Sequence, residues 1–201
     1  ASATSVLFYG GIPIFADIDP NRYSINPLSI EKLITSRTKA ILVVHLFGYP
    51  ADMDSIMEIA RRYNLKVIED AAQSPGVYYK NRPVGAIGDI GGFSLNFHKH
   101  IHTGEGGMLV TNDDDIALRC QLIRNHGENA TESYGVEDIS NTIGSNYRFT
   151  EIQAAIGTEQ FKKLKNFLEH REVLGKYLSD RLKGIKGLKI QELEEGTTHS
   201  Y

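Results

Sequence analysis

The chain has 201 residues, 41% apolar and 23% charged, with a formal net charge of −3, enough for one large domain or for one domain and part of a second. That balance excludes the basic footprint of a nucleic-acid binder and the composition of a disordered chain. No apolar run is long enough to cross a bilayer, and Ala1-Ser2-Ala3-Thr4 lacks the basic start of a signal peptide. The single cysteine, Cys120, excludes an internal disulfide and fits a reducing compartment, so the chain reads as soluble and cytoplasmic. It opens inside an apolar segment, Val6-Leu7-Phe8-Tyr9, and stops at Thr198-His199-Ser200-Tyr201 without a closing element, and so reads as an internal piece of a longer protein.

Strand-like and helix-like segments alternate in the order of an α/β sheet covered by helices. Ile14 to Ile18 is a short strand candidate, and Ile30 to Ile34 a short helix entered through Asn26-Pro27. Lys39 to Phe47 is β-branched and nearly continuously apolar, which predicts a parallel strand covered on both faces, ended by Gly48-Tyr49-Pro50. Asp52 to Tyr63 places Met53, Ile56, Met57, Ile59 and Ala60 at helical spacing behind acids in its first turn. Lys66-Val67-Ile68 is the next strand and ends in Glu69-Asp70, completing a βαβ unit.

Beyond Asp70 the texture turns to glycine: Gly76, Gly85, Gly88, Gly91, Gly92, Gly104, Gly106 and Gly107. Such a run predicts backbone that turns sharply or approaches a ligand closely. Gly92 to Leu95 and Met108 to Thr111 are strand candidates on either side of Asn96 to Gly107, Asp113 to Arg124 is a helix, and Glu128 to Ser145 reads as a polar loop. Thr150-Glu151-Ile152-Gln153 is a capping-box pattern, and the apolar spacing behind it predicts a helix of about 30 residues, bent near Gly157 or Gly175 and long enough to link two domains. Leu188-Lys189-Ile190 begins another strand.

Three constellations carry candidate chemistry. Asp70 ends an apolar strand beside Ala71, Ala72 and Gln73, where open α/β sheets bind ligands; a plain turn acid is the alternative. Lys99 sits in Asn96 to Gly107 among histidines and glycines. It reads either as an exposed basic loop or as an imine-forming amine, a role that burial and cationic neighbours favour by lowering the amine's pKa. A rival reading takes His98, His100 and His102: on a strand their alternation would put all three on one face as metal ligands. Gly144 to Phe149, with Asn146 and Arg148 just before the capped helix, suits an anion such as phosphate. Glu105 reads as a turn acid, and His45 and His126 as packed or hydrogen-bonded.

Taken in order, these pieces resemble the DegT/DnrJ/EryC1/StrS family of sugar-nucleotide aminotransferases, pyridoxal-phosphate enzymes of the type I aspartate-aminotransferase-like fold. The resemblance runs over essentially the whole chain. It rests on Phe15 to Asp19, Val44 to Gly48, Val67 to Gln73, Phe93-Ser94-Leu95 with Lys99 five residues after the serine, Thr103 to Gly107, Arg124 to Gly127, and Asn146 to Gly157. It implies a three-layer α/β/α large domain with a mostly parallel sheet over residues 1–165, lacking its first part, then a linking helix and the start of a smaller C-terminal domain over 166–201. It also implies that Lys99 holds pyridoxal 5′-phosphate through an imine and shuttles the proton, that Asp70 pairs with the pyridine nitrogen, that Gln73 lies near the ring's O3′, and that Ser94 binds the phosphate. Asn146 would reach the phosphate of a neighbouring subunit's cofactor, making the active unit a homodimer with shared sites, and Tyr147 and Arg148 would lie near the subunit boundary or the sugar nucleotide.

The function so implied is amino transfer from an amino acid, glutamate, to a keto-sugar nucleotide in amino-sugar biosynthesis for a polysaccharide or glycosylated metabolite. Some relatives carry histidine at the lysine position and are sugar dehydratases, but counting five forward from Ser94 and five back from Gly104 both land on Lys99. A cysteine-desulfurase-like enzyme would need a mobile nucleophile, and Cys120 lies in a helical pattern. The metal reading through the three histidines and a non-catalytic relative complete the alternatives.

Overall fold

The computed structural model describes residues 1–127 and 142–201. Its centre is a four-stranded sheet in the order β1 (Ala40–Val44), β2 (Lys66–Asp70), β5 (Ile90–Ser94), β6 (Gly107–Val110); a separate hairpin joins β3 (Tyr78–Tyr79) to β4 (Arg82–Pro83). β1, β2 and β5 run parallel and β6 is antiparallel to β5. The chain is therefore an α/β fold with a mostly parallel sheet, as the alternation of elements predicts.

Residue alternation divides the sheet into two unlike faces. Ile41 and Val43 on β1 pair with Val67 and Glu69 on β2, and all four are buried. Against them packs α3 (Met53–Tyr63), started by Asp52, whose side chain accepts from Ser55 N, and ended by Asn64 in the left-handed conformation. Its Met53, Ile56, Ile59 and Ala60 join the core, with Ile30 of α2 (Pro27–Leu33) beside them. The opposite face, carrying Leu42, Ile68, Asp70, Ile90 and Gly92, is only partly covered. The expectation that β1 is covered on both sides is thus corrected: Leu42 and Val44 are half-buried, because that face borders an open cleft. α1 (Ser2–Phe8) brings Ser2 and Ser5 to the cleft's edge.

α4 (Asp114–Arg124) begins at Asp113, whose carboxylate accepts from Asp115 N and Ile116 N. α5 (Glu151–Leu182) has 32 residues, about 48 Å at the helical rise, and runs unbroken through Gly157 and Gly175. At Gly157 a Cβ would meet Thr103 Cγ2 at 3.2 Å, and at Gly175 it would enter the Tyr201 ring at 2.6 Å, so both glycines serve close packing. The predicted box is present, Thr150 Oγ1 accepting from Gln153 N and Gln153 Oε1 from Thr150 N.

Two predicted strands are absent. Ile14 to Ile18 is irregular, with one bridge from Ile18 to Ile25, and Leu188 to Ile190 is irregular too. In both places the apolar residues lack a strand edge to join. Residues 191–201 instead return to the turn after β1 and to the hairpin of β3 and β4: Ser200 N donates to Gly48 O, Thr198 N to Tyr78 O and Asn81 N to Gly196 O. Of the polar loop expected over 128–145, residues 128–141 lie outside the described residues.

Candidate functional site

β2 places Asp70 at its carboxyl end, level with Val44 on β1 and Gly92 on β5. The strand period of two turns neighbouring residues to opposite faces, so Glu69 enters the core and Asp70 enters the cleft. Two donors fix the Asp70 carboxylate: Ser2 Oγ reaches Oδ2 at 2.5 Å and Ala72 N reaches Oδ1 at 3.1 Å. The cleft has a volume of about 320 Å³, and Ser2, Asp70, Gly92, Ser94, Gly106 and Leu109 are among its walls. Leu42, Ile68 and Ile90 give it an apolar floor. The two small residues after Asp70 part company, Ala71 packing into the core and Ala72 lining the cleft.

Asp70 and Ser94 therefore share one cleft. Ser94 ends β5 opposite Gly107, and its Oγ accepts from Asn96 N at 3.3 Å. Lys99 stands on the loop leaving that strand end. The loop is pinched at its base by Thr103 N donating to Leu95 O at 2.9 Å, and turned inside by Lys99 N donating to Asn96 O at 2.9 Å. The Lys99 side chain is half-buried and is not part of the cleft wall. Glu105 braces the loop, as a turn acid should: it accepts from Asn96 Nδ2 at 2.8 Å, while its carbonyl accepts from Thr103 Oγ1 and from Gln153 Nε2. Through Gln153 the start of α5 and the lysine loop are one assembly.

The other predicted ligand residues lie outside the cleft wall. Gln73 Oε1 accepts from Phe47 N at 2.6 Å, and its carbonyl accepts from Ser200 Oγ at 2.9 Å, so this residue ties the turn after β2 to the turn after β1 and to the C-terminal segment. Asn146 is exposed; its side chain accepts from Arg148 N at 3.4 Å and its backbone bridges to Asn125.

The three-histidine metal reading is corrected. Residues 96–103 form turns and bends rather than a strand, so alternation does not place the rings together. His98 lies tilted against Phe97 with ring centroids 3.7 Å apart, His100 Nε2 faces Ser200 O at 3.2 Å, and His102 Nδ1 accepts from Gly104 N at 3.4 Å. Among the described residues no three His, Cys, Asp or Glu side chains gather as a metal site. Cys120 lies inside α4, and burial raises its thiol pKa, the opposite of what a nucleophile needs.

Directly behind Asp70 lies a polar pair that the sequence reading did not join. His45 Nε2 and Glu69 Oε2 are 2.9 Å apart with both side chains fully buried. Gly85 N, at 2.8 Å, also donates to Oε2; Ile87 N and Gly88 N donate to Oε1 at 2.7 and 2.6 Å. Burial pushes the Glu69 carboxyl up, and the bonds from His45, Gly88 and Gly85 outweigh it, holding it below the usual carboxylate range. The signal was available: Val67 and Glu69 alternate with Ile68 and Asp70, so one of the two acids had to face the core.

These residues fit pyridoxal phosphate in kind. A carboxylate stands at one end of a flat apolar floor, a hydroxyl lies at the strand end, and Gly92 leaves open the space beside Asp70 that a side chain would narrow.

Comparison with known proteins places the arrangement in a family. The chain is 46% identical over 178 residues to GDP-perosamine synthase of Caulobacter vibrioides, an alignment covering 88% of this chain and 47% of that protein. The structure of the aminotransferase from Psychrobacter cryohalolentis superposes with a TM-score of 0.92 at 36% identity, over 100% of this chain and 54% of the other. That of the E. coli GDP-4-keto-6-deoxy-D-mannose-3-dehydratase with bound hydrated PLP superposes at 0.85 with 32% identity, over 97% and 53%. The chain thus spans about half the length of these relatives. Its residues 1–201 match the model of the DegT/DnrJ/EryC1/StrS aminotransferase family, and the chain belongs to that family.

Proposed function

We propose that the protein to which this chain belongs is a pyridoxal-phosphate-dependent aminotransferase that moves an amino group from an amino acid, glutamate, to a keto-sugar nucleotide. Its product would be an amino sugar for a polysaccharide or a glycosylated metabolite. The observation that carries the reading is the Asp70 carboxylate, held by two donors at the head of an apolar cleft that it shares with Ser94. When bound, the cofactor supplies an aldehyde and an electron-accepting ring. An anion at Asp70 favours a proton on a ring nitrogen beside it. Lys99 provides the amine that attaches the cofactor and afterwards carries the proton at the substrate carbon. Ser94 would offer its hydroxyl to the phosphate, and Gln73, whose Oε1 accepts from Phe47 N, would offer its Nε2 to the ring oxygen.

The exposed Asn146, just before the start of α5, would in a homodimer contact the phosphate of the neighbouring subunit's cofactor. Residues 1–165 would then belong to the large cofactor-binding domain, and 166–201 to the linking helix and the start of a smaller one.

The test uses the full-length protein. With pyridoxal phosphate it should turn yellow, and borohydride should fix a pyridoxyl group on the Lys99 peptide. With glutamate and a keto-sugar nucleotide it should release 2-oxoglutarate and aminated sugar in equal amounts. Lys99→Ala should abolish both. Absence of an adduct at Lys99 overturns the mechanism, and loss of a hydroxyl from the sugar without amination would identify a dehydratase.

A further inference from the structure

We propose that His45 and Glu69 are positioning residues for Asp70, a buried clamp that sets the depth and direction of the acid in the cleft. The inference rests on Asp70 being the acid that faces the cofactor ring.

Every polar group of His45 is engaged. Its backbone N–H donates to Asp70 O at 3.1 Å, its carbonyl accepts from Ser74 Oγ at 2.9 Å, and Nδ1 accepts from Ala51 N at 3.1 Å. An N–H can only donate, so Nδ1 carries no proton, the ring proton sits on Nε2, and Nε2 donates to Glu69. One residue therefore grips both acids at the end of β2, Asp70 by its main chain and Glu69 by its side chain. Ser74 closes the turn that follows, its N–H donating to Ala71 O.

Glu69 gathers three backbone N–H groups of residues 85–88 besides the imidazole. That loop packs against β5, whose Gly92 O accepts from Ala71 N at 2.9 Å. A buried carboxylate with four donors is satisfied only in one arrangement, and leaving any of them unpaired is costly. The clamp thus converts hydrogen bonds on the core face into a fixed backbone at residue 70, whose side chain works on the other face.

The experiment compares three variants of the full-length protein. His45→Leu deletes both ring bonds. His45→Gln keeps a side-chain donor for Glu69. Ile56→Ala, a core substitution on α3, reports general destabilisation. Amide hydrogen exchange of the cofactor-free protein and the Kd for pyridoxal phosphate are read for each. His45→Leu should speed exchange selectively at 70–74 and 85–88 and weaken Kd about tenfold or more, with His45→Gln recovering part of both. Ile56→Ala should speed exchange around α3 and leave Kd within about twofold. An unchanged Kd in His45→Leu, or an equal loss in Ile56→Ala, overturns the clamp. If His45→Leu does not fold, Glu69→Gln replaces it: its carboxamide turns an NH₂ toward backbone donors, so it should bind the cofactor more weakly than His45→Gln, and equal binding overturns the proposal. Should wild-type protein bind no pyridoxal phosphate, the aminotransferase reading falls, while exchange at 70–74 still decides whether the pair holds Asp70.

Discussion

Gly91 and Gly92 are neighbours on β5, and adding one methyl group to each should have opposite consequences. A Cβ on Gly91 would strike the main chain of Gly85, falling nearest its oxygen and within 2.5 Å of its Cα and 2.6 Å of its carbonyl carbon. No flexible side chain is there to yield, so the 85–88 loop must move. That loop supplies three N–H groups to the buried Glu69 carboxylate. A hydrogen bond to a charged group contributes about 1.5–3 kcal/mol. Losing one makes Gly91→Ala clearly destabilised, and losing all three approaches the ~5–15 kcal/mol that holds a typical domain together. At Gly92 the added carbon finds only Leu109 Cδ2, at 3.6 Å, an ordinary contact, and stability should stay within about 1 kcal/mol. Gly92 pairs with Asp70 and faces the cleft, so Gly92→Ala should still weaken pyridoxal phosphate binding. Urea unfolding of the two full-length variants, followed by cofactor titration, decides the matter. A Gly91→Ala unfolding free energy within about 1 kcal/mol of wild type, or equal losses in both variants, would refute the close-approach argument.

Thr150→Ala should cost about 1 kcal/mol in urea unfolding by removing the cap of α5, and Thr150→Ser should restore it. Asp70→Asn keeps the shape of the side chain and should leave the unfolding free energy within about 1 kcal/mol of wild type while lowering kcat, because a neutral amide does not favour a proton on the ring nitrogen. Burial, with Arg171 nearby, holds the His199 imidazole down to about 4. The unfolded chain, with a value near ~6.5, then binds more protons between the two values, so this residue's contribution to stability falls as pH drops from 6.5 toward 4. His199→Phe retains a ring to stack on Tyr201 and should flatten the urea midpoint over that range; an unchanged pH profile would remove His199 from the account. The depressed Glu69 carboxyl acts in the same direction at lower pH, below its unfolded value of ~4.3, so the two windows separate.

The elements legible in the sequence are those whose local chemistry and burial agree. Thr150 with Gln153 announces the start of α5, and the structure realises both bonds of that box; Asn26 and Asp52, read as an entry and a first-turn acid, prove to be the caps of α2 and α3. The predicted strands at Ile14 and Leu188 failed because an apolar segment becomes a strand only where another strand offers its edge, and sheet order is not local information. The three-histidine reading failed for a related reason: alternation aligns side chains only on extended backbone, and Gly104 and Gly106 follow a loop already turned by the Lys99 N–H bond to Asn96. At the site, the position of Asp70 could be read from a strand end. The role of Gln73 as a tie to Phe47 and Ser200 could not, because those partners lie 26 and 127 residues away in sequence.

The glycine-rich middle shows how the two halves of that reading meet. Its composition suggested sharp turns or close approach to a ligand; at two consecutive residues of β5 the lack of a side chain instead makes room on each face of the sheet. On the core face Gly91 admits the Gly85 main chain, so that backbone N–H groups can reach Glu69. On the cleft face Gly92 keeps the space beside Asp70 open. The register makes the coincidence necessary: Glu69 aligns with Gly91 and Asp70 with Gly92. Two adjacent acids on one strand are thus matched by two adjacent glycines on the next, one pair for anchoring and one for the cleft. A shift of one residue between β2 and β5 would, in one direction, set Asp70 opposite Gly91 and its crowded main chain, and in the other set Glu69 opposite Gly92 and the open space. The function assigned to Asp70 therefore depends on a strand register that its own side chain does nothing to enforce, and the enforcing contacts lie on the other side of the sheet.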